Sequence, residues 1–162
     1  VQDLKKLPVP GVRVEARQAD GTLVGAGVTD DQGNYQLELP AGQYILTPLK
    51  ETHLFSPASR KVTVKVNDLG KLNFTVKLLT LSGAVKDRKG KPLVGVTILL
   101  QQGEMAIANT LTDAKGKYSF PLYNMGTYTV KPSQAGSQFA PEGVEVTLTK
   151  GNRGGINFKE VP

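Results

Sequence analysis

The chain contains no cysteine and no tryptophan, only one histidine, and no run of 18 consecutive apolar residues. Without cysteine there is no disulfide framework, thiolate metal site or cysteine nucleophile. Without a long apolar run there is no hydropathy signal for a spanning helix, and no secretory leader pattern is present. Lacking tryptophan, the chain is poor in the flat platforms on which sugars stack. Helical periodicity is also missing, since no segment places apolar residues at a sustained 3.6-residue spacing. What remains among the 162 residues is 18 Gly, 10 Pro, 39% hydrophobic residues and a net charge of +6. That is the composition of a turn-rich globular chain.

The second half restates the first at a spacing of 84 residues. Gly42 pairs with Gly126, Tyr44 with Tyr128, Pro48 with Pro132, Phe55 with Phe139, Pro57 with Pro141 and Asn73-Phe74 with Asn157-Phe158. Upstream the spacing slips by one, laying Thr29–Tyr35 (TDDQGNY) over Thr112–Tyr118 (TDAKGKY), and it returns to 84 at Pro8 over Pro92. Eight of the ten aromatic residues form the matched pairs Tyr35/Tyr118, Tyr44/Tyr128, Phe55/Phe139 and Phe74/Phe158. A residue type kept in both copies serves what both must do, which is fold, so these aromatics are assigned to core or corner packing. Val1 lies over Val85, so copy one lacks most of its first strand. The chain is accordingly expected to be a fragment of a longer polypeptide, with an unpaired strand edge at its start.

Alternation with period two marks half-buried strands. Val96, Ile98 and Leu100 share one side, as do Val144, Val146 and Leu148, Val62, Val64 and Val66, and Phe74, Val76 and Leu78. Between such runs stand DGT, DQGN, PAGQ, RKGK, AKGK and NMGT, where Gly supplies positive φ and Asp or Asn caps its own turn. About seven short strands per copy predict an all-β chain of two tandem antiparallel β-sandwiches, residues 1–79 and 80–162. The connection between them carries no Gly/Ser- or Pro-rich spacer, which predicts limited swing.

These residues carry a family resemblance. LSGAVKDRKGKPLVGVTILL, TLTDAKGKYSFPLYNMGTYTVKPS and the closing GINF resemble the carboxypeptidase regulatory-like domain, a prealbumin-like or transthyretin-like sandwich of seven strands. Copy one keeps PVPGV, TDDQGNYQLELPAGQYIL and LNF. The resemblance implies a module strung along large surface or secreted proteins as a spacer, or appended to enzymes and outer-membrane receptors. Two neighbouring families are similar and make sharper demands. Collagen-adhesin B-type domains carry a Lys-to-Asn isopeptide bond. Asn157 and Asn73 match the acceptor, but Ala84 replaces the donor lysine and Pro132 the acidic residue. Sdr B-type domains bind calcium through clustered acids, and calcium takes six to eight oxygens. Copy one offers Asp30 and Asp31 at that turn, whereas copy two keeps only Asp113, which favours a plain turn.

No catalytic, cofactor or metal set emerges. His53 has no counterpart in copy two, where Ser137 stands, and a general base or metal ligand needs partners; a lone loop histidine of this kind is expected to face solvent. No nucleophile elbow or phosphate-cradling loop is present. The basic excess is +2 over residues 1–78 and +4 over residues 79–162. It gathers at Lys86, Arg88, Lys89 and Lys91 around Gly90, a patch suited to an acidic polymer, a membrane surface or a negatively charged partner. Nucleic acid is disfavoured because the aromatics are committed to the core. The loops QQGEMAIAN and YNM differ between copies, making Met105 and Tyr123 the further contact candidates. The expectation is a non-catalytic structural module without cofactor or direct membrane insertion, within an extracellular, cell-surface or periplasmic protein. Its partners are the other domains of its parent chain and, beyond them, a protein or polysaccharide. The main alternative is a glycan- or protein-recognition module of an adhesin, secreted enzyme or outer-membrane receptor. A luminal array in a eukaryotic membrane complex is the third reading.

Overall fold

A computed structural model describes residues 1–65 and 69–162; Val66, grouped with Val62 and Val64 by alternation, lies outside the described residues. The chain divides into two units, Val1–Leu78 and Leu79–Pro162.

Unit 2 is the complete copy. Its strands are β7 (Leu79–Lys86), β8 (Thr97–Gln102), β9 (Met105–Leu111), β10 (Lys117–Leu122), β11 (Gly126–Ser133), β12 (Gln138–Ala140), β13 (Val144–Leu148) and β14 (Phe158–Val161). Alternating branched and aromatic residues suit a pleated surface with one buried face. They build two layers, ordered β13-β11-β8-β9 and β10-β7-β14-β12. Val96, Ile98, Leu100 and Val130 from the first layer and Leu79, Leu81 and Val85 from the second are fully buried between them. Pro121 sits in β10, an edge strand, where a missing N–H breaks no ladder. The contacts of β7 with the C-terminal segment depart from the antiparallel expectation: β14 runs parallel to β7, pairing Phe158 with Val85 and Lys159 with Lys86, and Arg153 bridges Leu81 in parallel.

Unit 1 contains β1 (Arg13–Arg17), β2 (Leu23–Val28), β3 (Gly42–Leu49), β4 (Phe55–Ser56), β5 (Arg60–Val64) and β6 (Thr75–Val76). Its first layer, β2-β1-β3-β5, repeats that of unit 2 down to the bulge, at Ala16/Arg17 here and Leu100/Gln101 there. Among the described residues its second layer is the pair β4-β6, joined by a parallel bridge from Gln2 to Thr75. Residues 34–39, which match β10, form no strand. Tyr35 is half-exposed while Tyr118 is buried, so within this pair the packing at the core or corner differs in depth.

The same local bonds are repeated in both units. The Thr29 hydroxyl donates to the Val9 carbonyl at 2.7 Å and accepts the Val12 amide at 2.9 Å; Thr112 does the same with Leu93 and Val96 at 2.7 and 2.9 Å. Tyr35 donates to Leu72 O and Tyr118 to Ile156 O, each at 2.6 Å. Tyr44 donates to Pro40 O and Tyr128 to Asn124 O, each at 2.9 Å. Burial pushes the Tyr118 phenol well above the ordinary tyrosine range.

Candidate functional site

The basic cluster is built on a turn closed by its own aspartate. Asp87 Oδ1 accepts the amides of Lys89 at 2.9 Å and Lys91 at 2.8 Å, and Gly90 takes the left-handed conformation at φ 84. Lys86, Arg88, Lys89 and Lys91 are all exposed around it. Arg88 Nε lies 3.8 Å from Glu160 Oε2, a surface pair that contributes little.

The structure adds members that the sequence reading passed over. A second turn of the same kind stands beside the first: Asp113 Oδ1 accepts the amides of Lys115 and Lys117, each at 2.8 Å. Those amides hold the Asp113 carboxyl below the ordinary carboxylate range. Val85 N donates to Gly116 O at 2.8 Å, which fixes the two turns side by side, and Lys159 pairs with Lys86. The signal was present as a repeated pentapeptide, Asp-x-Lys-Gly-Lys, at 87–91 and 113–117. In unit 1 the matching turns at Asp3 and Asp30 keep the aspartate staple but not this density of lysine. The result is one end of unit 2 lined with exposed cations, suited to an anionic surface by charge alone.

Met105 and Tyr123 are not part of that end. Gln101 and Gln102 close β8 and Met105 opens β9, so QQGEMAIAN is a tight hairpin turning at Gly103-Glu104 rather than the loop expected from its divergence. Met105 is 71% exposed and Tyr123 half-buried. A β-carbon on Gly126 would lie 3.3 Å from Gln102 Nε2, which places the hairpin and the β10–β11 connection together. Because Leu79 pairs with Leu122 and Ala84 with Lys117, this end is roughly 20 Å along β7 from the lysine turns. The six candidates thus form two separate groups.

Two features of unit 1 have no counterpart in unit 2. Glu15 is clasped by Arg13 Nε at 2.9 Å and Arg17 Nη2 at 2.8 Å, where unit 2 has Leu99 flanked by Thr97 and Gln101. The Arg13 and Arg17 guanidiniums hold the Glu15 carboxyl below its usual range. His53 is half-buried rather than solvent-facing, with Nδ1 2.8 Å from Thr52 Oγ1 and its ring stacked on Phe55 at 6.2 Å. Burial, and then the Lys50 charge, push its pKa down. A lowered folded-state pKa means that the unfolded chain takes up the proton first. Its contribution is intact above about pH 6.5 and is lost as pH falls toward the folded value. Denaturation midpoints of unit 1 should therefore drop between about pH 7.5 and pH 5, and part of that slope should vanish in His53→Gln; an unchanged slope would remove His53 from the account.

Asn157 Oδ1 accepts the Ala84 amide at 3.0 Å, so the residue facing the asparagine is one without an amine. Asp30 Oδ1 accepts the Gln32 and Asn34 amides at 2.9 and 2.8 Å, which is the plain-turn reading of TDDQGNY. Among the described residues no three His, Asp or Glu side chains converge as metal ligands, and no helix is long and apolar enough to cross a membrane.

Comparison with known proteins agrees with this architecture. The chain is 31% identical over 156 residues to chitinase ChiA of Flavobacterium johnsoniae, covering 94% of the chain and 10% of that protein. It is 27% identical over 178 residues to serine-aspartate repeat-containing protein F of Staphylococcus epidermidis, covering 91% of the chain and 10% of that protein. The chain thus spans about a tenth of the length of these curated relatives. Among solved structures, the Bacillus anthracis TIE protein superposes with a TM-score of 0.58 at 19% identity, over 99% of this chain and 33% of that one, a likeness of fold. The family model of the carboxypeptidase regulatory-like domain matches residues 1–77 and again residues 80–159. The chain belongs to the carboxypeptidase regulatory-like domain family, whose domain it carries twice in tandem.

Proposed function

We propose that the chain is a non-catalytic spacer module of a larger extracellular or cell-surface protein, presenting the domains next to it. The observation that carries this reading is the pattern of repetition. The bonds common to both units are those that close turns and corners, while the exposed charges differ between copies and gather around no nucleophile, base or metal-ligand set among the described residues. The far greater length of its relatives supports a role as one part of a longer chain.

A second reading is favoured by the 31% identity to a chitinase: an accessory module that holds an attached enzyme on a polysaccharide. The two readings part in a sedimentation assay with insoluble chitin. A spacer stays in solution, and replacing Lys86, Arg88, Lys89 and Lys91 with Glu, or Met105 and Tyr123 with Ala, leaves its fold and distribution unchanged. Co-sedimentation of the parent chain that is abolished by either set of changes would replace the spacer reading with the accessory one.

A further inference from the structure

We propose that the outer face of the β10-β7-β14-β12 layer of unit 2, together with the two lysine turns at its end, binds a linear acidic polysaccharide. The inference goes beyond the spacer reading, which stands whether or not such a polymer binds.

The two layers of unit 2 carry charge unequally. Inward and outward residues alternate along each strand. Val85 and Phe158 pair and are buried, so the next residues, Lys86 and Lys159, share the outer face of the second layer. Lys117, which pairs with Ala84 and precedes buried Tyr118, shares it too. Three neighbouring strands thus each place one exposed lysine on one face, with β10 and β14 about 10 Å apart across β7. None of the outward residues of the four strands is acidic. On the outer face of the first layer the strand charges are Lys131 and Glu145, which cancel. Exposed Lys89, Lys91 and Lys115 extend the positive field over the end of the second layer, where the bond from Val85 to Gly116 holds their turns together. The acids at that end are engaged already. Asp87 and Asp113 each accept two amides of their own turns, and Glu160 accepts the Ser137 hydroxyl at 2.8 Å and faces Arg88.

The chemistry of this face selects the ligand. Lysine is a point charge without the planar fork of arginine, so it suits a run of anionic groups better than one shaped anion. Between the lysines the floor is made of small side chains, Ser82, Ala84 and Ser119, over which a chain can lie close. Ser119 is exposed, as is Asn157, whose Oδ1 accepts the Ala84 amide; hydroxyl and amide groups suit the hydroxyls of a sugar backbone. The face carries no aromatic residue on which bases would stack. The strand lysines project from the sheet, whereas the turn lysines lie past the strand ends. The cations therefore pass round a corner, which a flexible polymer follows and a bilayer surface does not.

The test uses the full chain with polygalacturonate as the probe, uncharged dextran as the comparison polymer and vesicles rich in phosphatidylglycerol. Calorimetry at low salt is expected to show binding to polygalacturonate and none to dextran. The binding should disappear in about 0.5 M salt, where the Debye length is only about 4 Å. Replacing Lys86, Lys117 and Lys159 together with Gln should weaken it roughly tenfold or more. Replacing Lys5, Lys61 and Lys131 with Gln removes the same charge elsewhere and should leave it within about twofold. In the unaltered chain, bound polygalacturonate should shield Lys86, Lys117 and Lys159 from an amine-reactive reagent while Lys131 still reacts. Absence of binding, equal losses in the two sets of variants, or no selective shielding would each overturn the proposal. Tighter binding to the vesicles than to the polymer would also overturn it and give this face to a membrane surface.

Discussion

Gly83→Ala is expected to destabilise unit 2 by about 3–5 kcal/mol, the upper range for overpacking against rigid neighbours. The backbone at Gly83 is not in a left-handed conformation, so the effect is steric: the new β-carbon would lie 1.7 Å from Ile156 O and 2.6 Å from Ile156 C. These are backbone atoms held by β7 itself, through the bond from Ile156 N to Ser82 O, and by the Tyr118 hydroxyl. Relief requires separating β7 from the Arg153–Ile156 segment and giving up both bonds. A loss of that size is a large part of the roughly 5–15 kcal/mol that holds a domain folded. Gly154→Ala is the control, since its β-carbon meets nothing nearer than Ser82 Oγ at 3.5 Å. Chemical denaturation should show the loss in the unit 2 transition alone; a Gly83→Ala protein as stable as the Gly154→Ala control would refute the close approach.

Thr112→Val and Thr29→Val should each remove about 2–3 kcal/mol, in unit 2 and unit 1 respectively. Valine keeps the shape of threonine but neither donates nor accepts. It would leave the Leu93 carbonyl and Val96 amide unpaired in one unit, and the Val9 carbonyl and Val12 amide in the other. Val12 and Val96 are fully buried, so water does not replace the lost bonds. Serine retains the hydroxyl and should recover most of the loss. Near-equal effects in the two units would identify the threonine as the corner on which each copy is built; a neutral valine substitution would dismiss it.

The strands were legible because alternation and burial share one cause. Val96, Ile98 and Leu100 alternate in the sequence and are buried in the fold for the same reason, that one pleated face meets the other layer. The repeat was legible because turns need particular residues, and Asp30 and Asp113 staple matching turns. What escaped depended on neighbours distant in sequence. Tyr35 and Tyr118 share a motif and a hydroxyl bond to a carbonyl across the layer, yet one is half-exposed and the other buried. Alternation through Phe74, Val76 and Leu78 conceals a change of phase, since Leu79 and Leu81 are buried while Leu78 is only half so. The hairpin at Gly103 leaves no strand signal in the sequence because Met105, Ala106 and Ile107 lie on an edge strand whose exposure erases the alternation. Of the candidate site, four lysines and arginines were visible as a cluster, and the second turn was not, because its place beside the first is set by the bond from Val85 to Gly116.

The parallel contact between β7 and β14 has a mechanical consequence for unit 2. The chain enters at Leu79, the start of β7, and leaves at Val161, the end of a strand running the same way. Tension applied at these two points drags neighbouring strands in opposite directions along their length. The links between them, from the Thr80, Ser82 and Arg153 bonds to the Val85–Phe158 and Lys86–Lys159 pairs, then bear the pull simultaneously rather than parting one after another. Antiparallel neighbours holding the two ends would open like a zipper at far lower force. This order of strands places the links between the two ends of unit 2 in shear.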